Sequence, residues 1–234
     1  MSNRKKLVSI VFSILIFIIA WLAFCGYQWS WGPFVKLHDY KTASLAGNAE
    51  QYALDTIEVE RNSPLKRKNI VFLGSSVTYG ASSMGVSFAD YIGATNDCNI
   101  IKEAVSGTTL VDEGVDSYIS RLNKIDTQNA DIFVCQLSNN DATQKKPLGE
   151  INNSENINDF DTKTVAGAIE YIIAYAKDKW DCPVVFYTNP KYDSENYQAM
   201  VDLLLEIQKK WNIEIIDMWN DVDFNNITDE QKSL

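Results

Sequence analysis

Histidine is the scarcest reactive side chain here, with one, His38, in 234 residues. Cysteine is little richer: Cys25, Cys98, Cys135 and Cys182, with no CxxC pair and no Cys/His spacing. That pattern excludes a thiolate metal site, and nothing else in the sequence calls for a metal or cofactor. The phosphate-cradling run Gly-x-x-x-x-Gly-Lys-Ser/Thr is absent, which argues against a nucleotide-binding module. Positive charge is also short, with 21 Lys and Arg against 31 Asp and Glu and a net charge of −10. Residues 1–25 hold three basic side chains and no acid, so the rest of the chain carries −13. Such a domain is a poor partner for nucleic acid or anionic lipid. What is present is a globular composition, 46% apolar and 22% charged, without repeats or low-complexity tracts.

Arg4, Lys5 and Lys6 precede an uncharged run of nineteen residues, Leu7 to Cys25. As a helix it would span about 28 Å, close to the hydrocarbon thickness of a bilayer. Trp21, Tyr27, Trp29 and Trp31 gather at its far end, where amphipathic rings favour the membrane interface. A cleaved signal peptide is the competing reading, but the run is long and no small-x-small site follows. The expectation is a cytoplasmic basic tail (1–6), a single-pass signal anchor (7–25), a juxtamembrane arm (26–67) and an extracellular domain (68–234). Within the arm, Ala43 to Leu54 reads as helix-forming until Asn62-Ser63-Pro64 breaks it.

From Lys68 the pattern alternates. Short apolar runs read as buried strands at Asn69–Leu73, Asn99–Ile101, Asp131–Leu137, Pro183–Tyr187 and Ile213–Asp217. Amphipathic stretches between them read as helices at Val115–Leu122, Thr162–Trp180 and Glu195–Trp211. This predicts an α/β domain: a flavodoxin-like three-layer α/β/α sandwich on a parallel five-stranded sheet. Active residues in such folds collect beyond the carboxyl ends of the strands. Cys135 falls inside a strand; Cys98 and Cys182 read as buried free thiols, although an exported protein could pair them.

Three strand ends carry suggestive chemistry. The first runs into Gly74-Ser75-Ser76-Val77-Thr78-Tyr79-Gly80, placing a serine on a tight turn before a helix, where free N–H groups favour a developing oxyanion. It is not a Gly-x-Ser-x-Gly elbow, because Thr78 stands at the second glycine. The second strand ends at Gly107, whose N–H is unscreened by a side chain. The third ends at Ser138-Asn139-Asn140-Asp141, whose Asn140 amide is a neutral donor. Each is also ordinary turn chemistry alone; together, in order, they form a constellation.

Taken together the blocks resemble those of the SGNH/GDSL hydrolase superfamily. Gly74-Ser75-Ser76 is similar to its Gly-Asp-Ser block, with Ser75 where Asp is usual; Gly107 matches the second block; Ser138-Asn139-Asn140-Asp141 is similar to Gly-x-Asn-Asp, with Ser138 for Gly. The resemblance implies that Ser76 attacks an acyl carbonyl while the Ser76 N–H, the Gly107 N–H and the Asn140 amide hold the oxyanion. It also implies an Asp-x-x-His block near the C-terminus, and no such block is in this chain. After the fifth strand come Asp217-Met218-Trp219, Asp221, Asp223 and a helix start at Thr228-Asp229-Glu230. The expectation is a chain truncated before that block, or an inactive relative, with His38 a remote candidate base.

The function expected is that of a serine esterase removing small, acetyl-like groups from small-molecule or cell-surface glycan esters. An O-acyltransferase using the same serine and a non-catalytic glycan-binding module are the alternatives. Neither acyl group, alcohol nor oligomeric state is written in the residues.

Overall fold

The computed structural model describes residues 3–232, which fall into two compact units. One is built on the first 53 residues with Ser82–Met84, the other on Leu54–Ala81 and the residues from Gly85 onward.

In the first unit, helix α1 (Asn3–Trp29) contains a segment, Lys5–Trp29, long and apolar enough to cross a membrane. Helix α2 (Lys36–Ala43) folds back on it. Gly26 permits that return, because a Cβ there would sit 2.5 Å from Phe34 O. Lys41 Nζ donates to Gln28 Oε1 at 2.7 Å, and His38 Nδ1 lies 3.1 Å from Tyr27 O. The helix expected over 43–54 does not form. Instead α2 stops at Ala43, and short 3₁₀ turns follow at Ala46–Asn48, Glu50–Tyr52 and Leu54–Thr56. Extended backbone at Leu45, Ala49 and Ala53 separates these turns, so no α ladder can propagate through them.

The second unit is the expected α/β sandwich. Its elements are β1 (Asn69–Gly74), α3 (Ser76–Tyr79), α4 (Phe88–Asn96), β2 (Asn99–Ala104), α5 (Tyr118–Leu122), β3 (Ile132–Gln136), α6 (Asn139–Thr143), α7 (Val165–Trp180), β4 (Val184–Tyr187), α8 (Glu195–Trp211), β5 (Glu214–Ile216), α9 (Val222–Asn225) and α10 (Asp229–Lys232). The strands are all parallel in the order β2-β1-β3-β4-β5. This is the doubly wound flavodoxin-like order, in which the order of strand addition reverses between β1 and β3 and opens a crevice there.

Alternation along β1 sends Val71 and Leu73 to one face and Ile70 and Phe72 to the other. The first face carries the main core, packed beneath α5, α7 and α8 with Ile169, Ile172, Leu204 and Trp219. Each such aliphatic side chain contributes roughly 1.5–3 kcal/mol on burial. Helix α7 is capped by Thr164 Oγ1, which accepts from Gly167 N at 3.2 Å, and α8 by Ser194 Oγ, which accepts from Tyr197 N at 3.2 Å. Between the two helices, Glu170 is fully buried; it accepts from Lys210 Nζ at 2.6 Å, Trp211 Nε1 at 3.0 Å and Asn152 N at 2.8 Å.

The second face is more thinly dressed. Helix α4 packs on β2, and beyond it an apolar groove of about 540 Å³ runs over Ile132, Val134, Val185 and Tyr187 to Phe224. Cys98 packs on this face and Cys182 on the opposite one. The sheet therefore separates the two thiols. Both are free and partly exposed rather than buried, while Cys25 and Cys135 are buried and free.

Candidate active site

Crevice chemistry starts where β1 stops. Gly74 lies so close to Thr78 that no side chain fits there, which fixes the sharp entry into α3. Ser75 is the N-cap and fully buried; Ser76 is the first helical residue and half-buried. Beneath them the amide of Gln136, at the end of β3, gathers the turn. Its Oε1 accepts from Ser75 N at 2.9 Å, Ser75 Oγ at 3.3 Å and Thr78 Oγ1 at 2.9 Å. Thr78 Oγ1 also pairs with Tyr187 Oη on β4 at 2.6 Å. Burial raises the Tyr187 phenol, so it stays neutral.

The turn after β2 places Gly107 at φ +82°, a conformation that glycine adopts without the strain a side chain brings. The space its Cβ would occupy is open, with no atom within 4 Å. Thr108, next in line, turns its carbonyl inward. That oxygen accepts from Asn140 Nδ2 at 2.8 Å and from Ser138 Oγ at 3.2 Å. The Asn140 amide is thus oriented by one hydrogen, leaving the other for a second acceptor. Asp141 is fully buried and accepts from Leu110 N at 2.8 Å and Val111 N at 3.1 Å. Burial raises its pKa, against the opposing effect of those two N–H groups. It clamps the two loops together and is not presented for proton transfer.

The three expected residues therefore stand at the ends of three neighbouring strands, β2, β1 and β3. Among the described residues, Ser76 Oγ, Ser76 N–H and Gly107 N–H make no hydrogen bond. Beside Gly107 lies a polar hollow of about 160 Å³ lined by Thr108, Thr109, Glu113, Ser117 and Gln144. No histidine belongs to the second unit; His38, weighed as a base, belongs to the first. No group of three or more His, Cys, Asp or Glu that could hold a metal occurs among the described residues.

Two residues of the site escape a reading of motifs, Gln136 and Arg121. Gln136 interrupts the apolar run 132–137, which hints at a buried partner, whereas Arg121, with Ser117, Ser120, Asn123 and Lys124 around it, carries no such signal. Buried polar groups survive only when hydrogen-bonded, so such a residue has a specific partner.

Sheet order and the flanking helices give the second unit a fold shared with solved structures described as GDSL-like lipases or lipolytic proteins. A lipolytic protein of the G-D-S-L family from Desulfitobacterium hafniense superposes with a TM-score of 0.54 at 16% identity, covering 70% of this chain and 85% of its own. A protein described as a GDSL-like lipase from Bacteroides ovatus gives 0.52 at 19% identity, covering 68% and 87%. A Lactobacillus plantarum protein gives 0.60 at 18%, covering 72% and 85%. No family model and no curated protein matches the sequence.

Proposed function

We propose that the second unit is a serine ester hydrolase. In this reading Ser76 Oγ attacks an acyl carbonyl carbon while passing its proton to a base from solvent, and the carbonyl electron pair moves onto oxygen. That base returns the proton to the departing alcohol. The resulting oxyanion lies against the Ser76 N–H, the Gly107 N–H and the free hydrogen of Asn140 Nδ2. Collapse expels the alcohol and leaves an acyl-Ser76, which water cleaves to the acid. One observation carries the reading: an unpaired hydroxyl, two unpaired N–H groups and a half-used amide at three adjacent strand ends. The small polar hollow beside Gly107 suits a short acyl group. The apolar span of α1 favours a domain held at the membrane surface, on the extracellular side. Acetyl-like esters of small molecules or cell-surface glycans are the substrates this suggests.

The serine proton needs an acceptor, which in the resembling family is a histidine; the only one in this sequence is His38. The unpartnered Ser76 Oγ thus also favours a second reading, a glycan-binding module that keeps the fold without turnover. An O-acyltransferase would use the same serine with a sugar hydroxyl as acceptor. Product analysis separates them: wild-type protein is expected to release acetate from acetylated oligosaccharides, and Ser76→Ala to release none. Acetyl transfer to an added unacetylated glycan would identify the transferase. Acetate release that survives Ser76→Ala would remove the serine from the chemistry.

A further inference from the structure

Arg121 sits on α5 with its side chain 5% exposed, yet its charge points at no carboxylate closer than Glu103 Oε1, 3.5 Å away. Four hydrogen bonds account for the guanidinium. Nε donates to Asp116 O at 2.9 Å and Nη1 to Glu103 O at 2.7 Å. Nη2 donates to Gly74 O at 2.9 Å and to Thr108 Oγ1 at 3.0 Å. Its face lies on the Tyr118 ring, 5.1 Å from the centroid. The acceptors are not a random set. Gly74 is the last residue of β1, two before Ser76; Glu103 is next to last in β2; Thr108 follows Gly107. Thr108 O in turn orients Asn140. A single planar fork therefore joins the turns that carry Ser76 and Gly107 directly, and reaches Asn140 through Thr108.

We propose that Arg121 is a positioning residue that sets the spacing of the Ser76, Gly107 and Asn140 donors from behind, and that its buried positive charge favours the oxyanion they hold. The proposal rests on the hydrolase reading for its catalytic consequence, but the linkage of the three turns does not. Only arginine can do this. A lysine ammonium at the same place would be a point charge on one atom, unable to reach Gly74 O, Glu103 O and Thr108 Oγ1 at once. Removing the fork takes a donor from Glu103 O and from Gly74 O, which keeps only Val105 N at 3.3 Å. The Thr108 turn is then free to drift, and with it the acceptor that holds Asn140.

The test compares full-length wild type, Arg121→Lys and Arg121→Ala in detergent, with imidazole present as external base. The rate constant for phosphonylation of Ser76 by a fluorophosphonate, with loss of fluoride, is measured together with the probe concentration giving half the maximal rate. Melting temperature and hydrogen exchange in the peptides spanning 105–111 and 138–143 are followed in parallel. The expected result is a fall of at least tenfold in the maximal rate for both variants, with the half-saturating concentration within twofold. Low-millimolar guanidinium should restore the Arg121→Ala rate without moving its melting temperature, whereas sodium at equal ionic strength should not. Exchange should quicken in both peptides and stay unchanged in α7. An Arg121→Ala rate within twofold of wild type, or a loss that guanidinium does not restore, would overturn the proposal. If wild type is not labelled at Ser76 at all, the hydrolase reading fails instead. The exchange data then decide: unaltered protection at 105–111 and 138–143 refutes the linkage.

Discussion

Asn140 holds one amide hydrogen against Thr108 O, so its orientation precedes any substrate. A donor fixed beforehand needs no reorganisation as charge develops, and removing one typically costs about 3 kcal/mol of transition-state stabilisation. Asn140→Ala is therefore expected to lower turnover roughly a hundredfold while the melting temperature falls little; steady-state kinetics beside calorimetry measure both, and a near-normal rate would exclude the amide from the site. Ser76, Gly107 and Asn140 were legible in the sequence because each closes a run of strand-forming residues, where a parallel sheet exposes backbone and side-chain donors. Gln136 and Arg121 were not. Their importance lies in partners 61 and 47 residues away, Ser75 and Gly74, and no local pattern encodes those contacts. Gly107 was legible for only part of its reason. Its missing side chain leaves the approach open, but the positive φ equally requires glycine.

At the level of elements, the sequence pattern identified the longest pieces best. Helices α7 and α8 have wide apolar stripes and clear caps, whereas α4 is nine residues long with Gly93 in its middle, where Ile100 packs too closely for a Cβ. What fixes α4 is its start: Ser87 Oγ accepts from Ala89 N, and Asp90 Oδ2 accepts from Ser87 N at 2.7 Å and from Lys102 on β2. Burial pushes the Asp90 carboxyl up, but Lys102 and Ser87 together hold it below its ordinary 3.8. A carboxyl lowered by folding contributes stability above its unfolded pKa and loses it as pH falls through the folded one. Asp90→Asn should accordingly melt below wild type at pH 6, with the gap closing below about pH 3.8. A gap that stays constant down to pH 2.5 would assign the loss to something other than this charge. Helices α7 and α8 depend on a different device, Glu170 buried beneath Lys210. Lys210→Ala leaves that carboxylate without its cation, and breaking such a pair costs about 3–5 kcal/mol. The Trp211 and Asn152 donors remain, so about 3 is expected from denaturant unfolding. A loss under 1 kcal/mol would mean that Lys210 is dispensable.

At the scale of the whole molecule, topology decides where chemistry can gather. The strand order β2-β1-β3-β4-β5 places a crevice at the switch point between β1 and β3. The strand ends flanking it carry Ser76 and Asn140, with Gly107 one strand further out. The fold class was readable because strand–helix alternation has few parallel solutions, and right-handed crossovers leave one short list. The open apolar groove on the second face was not readable, since runs such as Ile70–Leu73 look alike whether covered on one side or two. The central claim is that Ser76 is a nucleophile in a formed oxyanion site whose unit contains no imidazole. Its most direct test is peptide mapping of the 234-residue protein after fluorophosphonate treatment, with and without added imidazole. The account predicts a single adduct on Ser76, slow without imidazole, faster in proportion to the imidazole added, and absent in Ser76→Ala. An unlabelled Ser76 under saturating imidazole, or an adduct on another residue, would contradict it.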